Sequence, residues 1–165
     1  MTAAVDPWQS TWHQITAEHD NLRALYRSRP VRRGMDPDRP DTTQALFQHL
    51  YQFAEAVAAD PTVPPDVQQR ALVLQSKPAA GPIKRCGDIT NTDKDAGRRP
   101  GKTCAVLIRH HVALPNPGRP MVEGSYRVQY TDPQDNITTQ DALDLADAAC
   151  ETWQTFLLSN GLVER

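Results

Sequence analysis

The sequence predicts an α-rich α+β fold, a bundle of about four to five helices with an antiparallel β-hairpin inserted before the last helix. Three observations carry this expectation. Apolar residues recur at spacings of three and four along most of the chain. Between about 103 and 131 that period gives way to alternation. Prolines, 14 of them, fall where one element must yield to the next.

The first helix is expected over about 7–29. Asp6-Pro7 is a good start, because proline tolerates the first helical position and an aspartate accepts bonds from the orphan N–H groups. Trp8, Trp12, Ile15, His19, Leu22 and Tyr26 then form one stripe, and Pro30 ends it. The charged, proline-rich stretch 30–40 reads as a loop. Asp41 or Thr42 caps a second helix over 42–59, with Leu46, Phe47, Leu50, Tyr51, Phe53, Ala54 and Val57 inward and Asp60-Pro61 closing it. Pro64-Pro65-Asp66 opens a third over 65–76, through Val67, Ala71, Leu72 and Leu74. A break over 77–82 leads to a fourth, about 82–94, with Ile83, Cys86 and Ile89 inward.

The period then changes. Strands are expected over about 103–114 and 121–131, joined by Pro115-Asn116-Pro117-Gly118. In the second, Val122, Gly124, Tyr126, Val128 and Tyr130 alternate with Glu123, Ser125, Arg127 and Gln129, which marks a half-buried antiparallel strand. Thr138 or Thr139 caps the last helix, over 139–160. Its stripe is Ala142, Leu143, Ala146, Ala149, Cys150, Trp153, Phe156 and Leu157, with Gly161 beyond as a C-terminal cap. Trp8, Trp12 and Trp153 suit either the core or a homodimer seam, and periodicity does not separate the two.

At 165 residues the chain reads as one domain able to bury a core without disulfides or a metal. No run of about 18 apolar residues occurs, so no membrane span is expected. The N-terminus lacks the basic and apolar regions of a signal peptide. Cys86, Cys104 and Cys150, odd in number and with no CxxC spacing, read as reduced thiols of a cytoplasmic protein.

Net charge is −2 but unevenly spread. Arg23, Arg27, Arg29, Arg32 and Arg33 have no acid among them. Lys84, Arg85, Lys94, Arg98, Arg99, Lys102 and Arg109 are opposed only by Asp88, Asp93 and Asp95. From Asp132 onward the only basic residue is Arg165. Basic and acidic faces can pair within the fold or across a dimer; the basic zone would also serve a nucleic acid.

Several catalytic patterns fail. Gly97-Arg98-Arg99-Pro100-Gly101-Lys102-Thr103 is one residue short of a phosphate loop, and a strand follows it where a helix is needed. Cys86, Cys104, His110 and His111 lack the paired short spacing of a zinc site, so neither metal nor cofactor is expected. No serine or cysteine has a nucleophile setting. Arg109-His110-His111 does not supply the RxxxxH spacing of helical-bundle ribonucleases. His13, His19 and His49 fall on helices, and His19 reads as a hydrogen-bonded, half-buried histidine.

The segment Cys86-Gly87-Asp88-Ile89-Thr90-Asn91-Thr92-Asp93-Lys94-Asp95 is the densest in short polar side chains beside apolar ones. Buried polar groups cost about 2–7 kcal/mol unless hydrogen-bonded, so this is either a structural network or a site. On a helix, Asp88, Asn91 and Asp95 share one face with Lys94 beside them. Such a set can hold a phosphate or a substrate hydroxyl, or it can tie the helix to its neighbours.

Three stretches carry a resemblance. They are Leu46-Phe47-Gln48-His49-Leu50-Tyr51-Gln52-Phe53-Ala54-Glu55, Asp88-Ile89-Thr90-Asn91-Thr92-Asp93-Lys94-Asp95, and Asp141-Ala142-Leu143-Asp144-Leu145-Ala146 with Trp153-Gln154-Thr155-Phe156-Leu157. Over about 42–160 the chain resembles a group of uncharacterised bacterial helical proteins with the pattern YHLxDW … DIANxxKH … WxxFL. The resemblance implies architecture and candidate positions but no activity. Where the group carries His, Asp and His, this chain has Gln52, Glu55 and Asp95. Both imidazoles are replaced, which favours a site that binds over one that moves protons near neutral pH.

Two functional readings follow. The first is a non-enzymatic interaction or ligand-binding module for a protein or small molecule, with a polar seam of Gln52, Glu55, Asp88, Asn91, Lys94 and Asp95. The second is a nucleic-acid-binding or ribonuclease-like protein of a defence or toxin system. It would use Arg98, Arg99, Lys102 and Arg109 on phosphates, with Asp88 or Glu55 for the chemistry.

Overall fold

A computed structural model describes residues 7–26, 29–30, 40–76, 81–91, 104–114 and 121–163. Five helices and a small antiparallel sheet make up this part of the chain, in the α-rich α+β arrangement expected. The order is α1 (Pro7–Leu25), β1 (Arg29–Pro30), α2 (Pro40–Ala59), α3 (Pro65–Ser76), α4 (Pro82–Asn91), β2 (Cys104–Leu114), β3 (Met121–Thr131), β4 (Ile137–Asp141) and α5 (Ala142–Ser159).

The hub is α2, which touches the other four helices. It qualifies because Leu46, Phe47, Leu50, Phe53, Ala54 and Val57 are all fully buried, a stripe wide enough to serve several neighbours. α1 lays Trp8, Ile15, His19 and Leu22 into the same core, and α5 adds Leu145, Ala146, Ala149, Trp153 and Leu157. Trp8 and Trp153 are therefore core residues, and half-buried Trp12 packs its ring 5.4 Å from that of Phe53. No helix of the described residues is long and apolar enough to cross a membrane.

α4 meets α2 where Gly87 faces Tyr51. A Cβ at Gly87 would overlap the Tyr51 ring, so the glycine sets how closely the two helices approach. Gly87→Ala should destabilise the fold by on the order of 1 kcal/mol, because the half-buried ring can swing but not without loss of packing. A urea midpoint equal to that of the parent protein would contradict this.

β3 is the central strand. β2 pairs with it along its whole length, Cys104 opposite Thr131 through Leu114 opposite Met121. Its other edge is shared. β1 covers Met121 and Val122, and β4 covers Arg127 to Thr131. Tyr126, Val128 and Tyr130 point inward to the helices, whereas Val106, Ile108 and Ile137 stand exposed on the outer face.

Three boundaries differ from expectation. α1 ends at Leu25 rather than near 29, because Arg29 and Pro30 pair with β3. α2 begins at Pro40, two residues early, as proline at a first helical position allows. The larger correction concerns the last helix. Thr138 and Thr139 are not its caps; they lie in β4, as β-branched residues on a strand edge favour. The Asp132 carboxylate makes this possible by accepting from the N–H groups of Gln134 and Asn136, which folds the β3–β4 turn with Asp135 at φ 71°. Asp141 is the true cap, its Oδ1 accepting from Leu143 N at 2.8 Å and Asp144 N at 3.3 Å.

The far end of α5 follows the sequence. Gly161 takes φ 65°, and the N–H groups of Gly161 and Leu162 donate back to Leu158 and Leu157. That is a Schellman ending, which needs a residue tolerant of the left-handed region.

Candidate functional site

The polar residues of α4 divide between an ion pair along the helix and a contact with the sheet. Asp88 is ion-paired with Lys84 one turn earlier, and the pair is partly buried. Arg85 reaches the other way, to the inner face of the sheet. Its Nη1 donates to Gln140 Oε1 of β4 at 2.6 Å, and its guanidinium sits 5.2 Å above the centre of the Tyr130 ring of β3. Register explains the meeting. Gln140 opposes Val128, so Gln140 and Tyr130 both project from the inner face where α4 packs.

The electrostatics of this corner are unusual for a half-buried arginine. Among the described residues no carboxylate lies within ion-pair distance of Arg85; it is held by an amide oxygen and a π face. The Tyr130 hydroxyl is buried with no hydrogen-bond partner among the described residues. Burial pushes that hydroxyl well above the ordinary phenol range, partly offset by the Arg85 charge, so it remains a protonated donor.

The other expected seam residues divide. Asn91 is exposed at the last position of α4, and Gln52 is exposed on α2. Glu55, also exposed, accepts from Gln75 Nε2 of α3 at 3.2 Å, so it faces α3 rather than Asp88. Lys94, Asp95, Arg98, Arg99 and Lys102 lie outside the described residues. Arg109 sits on β2 opposite Tyr126. The corner thus keeps Asp88 from the sequence reading and adds Arg85, Tyr130 and Gln140.

Two histidines are engaged between helices. His19, hydrogen-bonded as expected but buried rather than half-buried, donates from Nε2 to Asp147 Oδ1 of α5 at 2.6 Å, and Arg23 donates to the same oxygen at 3.0 Å. His49 Nδ1 lies 2.8 Å from Glu18 Oε2 and joins α2 to α1. No group of three or more His, Cys, Asp and Glu among the described residues is placed to hold a metal.

No protein-family model, curated protein or solved structure matches this chain. The reading of the site accordingly rests on its own chemistry.

Four buried or half-buried acids of the weak, high-range kind have a shared consequence for stability. Burial pushes the Cys150 thiol up to about 12, with the Asp147 charge adding to it, and the Tyr26 hydroxyl up to about 12. Burial raises Cys86 and Tyr130 further. As pH climbs past the ordinary thiol range near 9.0, an unfolded chain releases protons that the folded chain keeps. Stability is therefore complete below that range and falls as pH rises toward about 12. Urea midpoints measured upward from neutral pH should hold steady and then decline above about pH 9, and a flat profile would refute the assignment.

Proposed function

We propose that this chain is a non-enzymatic binding module whose ligand docks at the corner between α4 and the β3–β4 pair. The observation that carries the reading is Arg85. It is fixed by Gln140 and the Tyr130 ring and by no carboxylate among the described residues, beside a buried hydroxyl without a partner. A protein that orients a charge without neutralising it leaves that charge ready for something else.

The remaining chemistry supports binding over turnover. His19 and His49 are tied to carboxylates, Asp88 to Lys84 and Glu55 to Gln75. The Cys86 and Cys150 thiols are raised far from nucleophilic thiolates. Gln52 also stands where the resembling group carries an imidazole. A nucleic-acid role would rest on Arg98, Arg99 and Lys102, which lie outside the described residues, and on Arg109 of β2.

Backbone amide spectra recorded with a mixed set of small neutral, cationic and anionic compounds test the reading. Shifts gathered on Arg85, Asp88, Tyr130 and Gln140 are the expected result. Shifts gathered elsewhere, or none at any concentration, would overturn it.

A further inference from the structure

We infer that the ligand group recognised at this corner is a terminal oxyanion, a carboxylate or phosphate monoester of a small molecule, held by Arg85 and Gln140 over the Tyr130 ring. The inference rests on the binding-module reading above and names its ligand class.

The donor count is the argument. A guanidinium carries five N–H donors in a planar fork and no acceptor. At Arg85 one of these goes to Gln140 Oε1, and the structure gives no carboxylate of the described residues to take the rest. That same bond occupies the amide oxygen of Gln140, so what Gln140 has left to offer is its N–H2 group. The Tyr130 hydroxyl is buried and adds nothing to this count, while the face of its ring lies under the guanidinium. The groups left over are overwhelmingly donors around a fixed positive charge. A neutral hydrogen-bond donor finds little to accept it there, and a cation is repelled. Two oxygens of one carboxylate or phosphate match the fork and make charge-assisted bonds, the strong class.

Two further features shape the fit. The Asp88 carboxylate, the acid of α4, is ion-paired with Lys84, which offsets its repulsion of an incoming anion. Tyr130 is only 8 % exposed, so it backs the guanidinium with its ring face and offers the ligand no hydrogen bond of its own. The ring-stacked, amide-bonded guanidinium has also lost much of its rotamer freedom before the ligand arrives, which lowers the cost of ordering it.

The test titrates the whole chain with inorganic phosphate, acetate, acetamide and methylammonium at constant ionic strength, following the amides of Arg85, Tyr130 and Gln140. Saturable shifts with phosphate or acetate, and none with acetamide or methylammonium, are expected; the anion that saturates at lower concentration assigns the source. Arg85→Gln should weaken that binding about tenfold or more, and Arg85→Lys, which keeps the charge but not the fork, should recover only part of it. Tyr130→Phe, which keeps the ring face under the guanidinium, should leave it within about twofold, with far-UV circular dichroism confirming that each variant is folded. Saturable binding of acetamide at the corner, unaffected by Arg85→Gln, would overturn the oxyanion assignment and leave the binding module standing. Silence with every probe, or non-saturating shifts that chloride reproduces, would overturn the oxyanion assignment, and the mixed-compound spectra would then decide the module separately.

Discussion

Trp153→Ala is expected to remove about 3–5 kcal/mol of stability. Trp153 lies fully buried on α5 and meets the rings of Phe53 and Phe156 edge to face, with centroids 5.0 and 5.7 Å away. Its Nε1 donates to the Leu50 carbonyl of α2 at 2.8 Å. One side chain thereby couples the hub helix to the last helix by area, ring geometry and a buried hydrogen bond. A chain of this kind has about 5–15 kcal/mol in total, so the alanine variant should melt some 10 °C or more below the parent. Trp153→Phe separates the contributions. It keeps a ring in the cavity but lacks the N–H, and Leu50 O retains its bond within α2, so about 1–2 kcal/mol is expected. Urea melts followed by far-UV circular dichroism give both values; a loss below about 1 kcal/mol for the alanine variant would show that α5 is held in some other way.

The helices were legible because their information is local. Val67 and Ala71, or Trp8, Ile15 and Leu22, declare a buried face within a few turns, and proline or glycine closes it. The sheet was half legible. Alternation from Val122 to Tyr130 marks β3, but whether Ile137-Thr138-Thr139 opens a helix or joins a strand depends on a partner edge that sequence alone does not place. The same distinction governs the site. Asp88 stood out inside a dense polar segment. Arg85 reads in the sequence as one member of a basic zone, since Gln140, which orients it, lies 55 residues away and reaches it only through β4. Neighbours on α4 could be inferred from spacing; partners across the sheet could not.

Tyr26 shows the same limit most sharply, and Tyr26→Phe is the second large effect expected, on the order of 2 kcal/mol or more. In the sequence Tyr26 is the last member of an amphipathic stripe. In the fold it fills a gap. Along one edge of β3, β1 ends at Val122 and β4 begins at Arg127, so Tyr126 falls between the two partner strands. The Tyr26 hydroxyl donates to Tyr126 O at 2.8 Å and accepts from Tyr126 N at 3.1 Å, taking the place of a strand residue. It also accepts from Leu143 N at 3.2 Å, which ties the start of α5 to the same point. Phenylalanine preserves the ring and its packing but withdraws the hydroxyl from both backbone groups of Tyr126, each costing about 1–3 kcal/mol when left unsatisfied in the interior. Leu143 N is protected, because Asp141 Oδ1 also accepts from it. Two readouts should therefore move together: the urea midpoint should fall, and amide exchange at Tyr126 should accelerate more than at Leu143. Equal acceleration at the two amides, or an unchanged midpoint, would mean that the hydroxyl does not close the edge of β3.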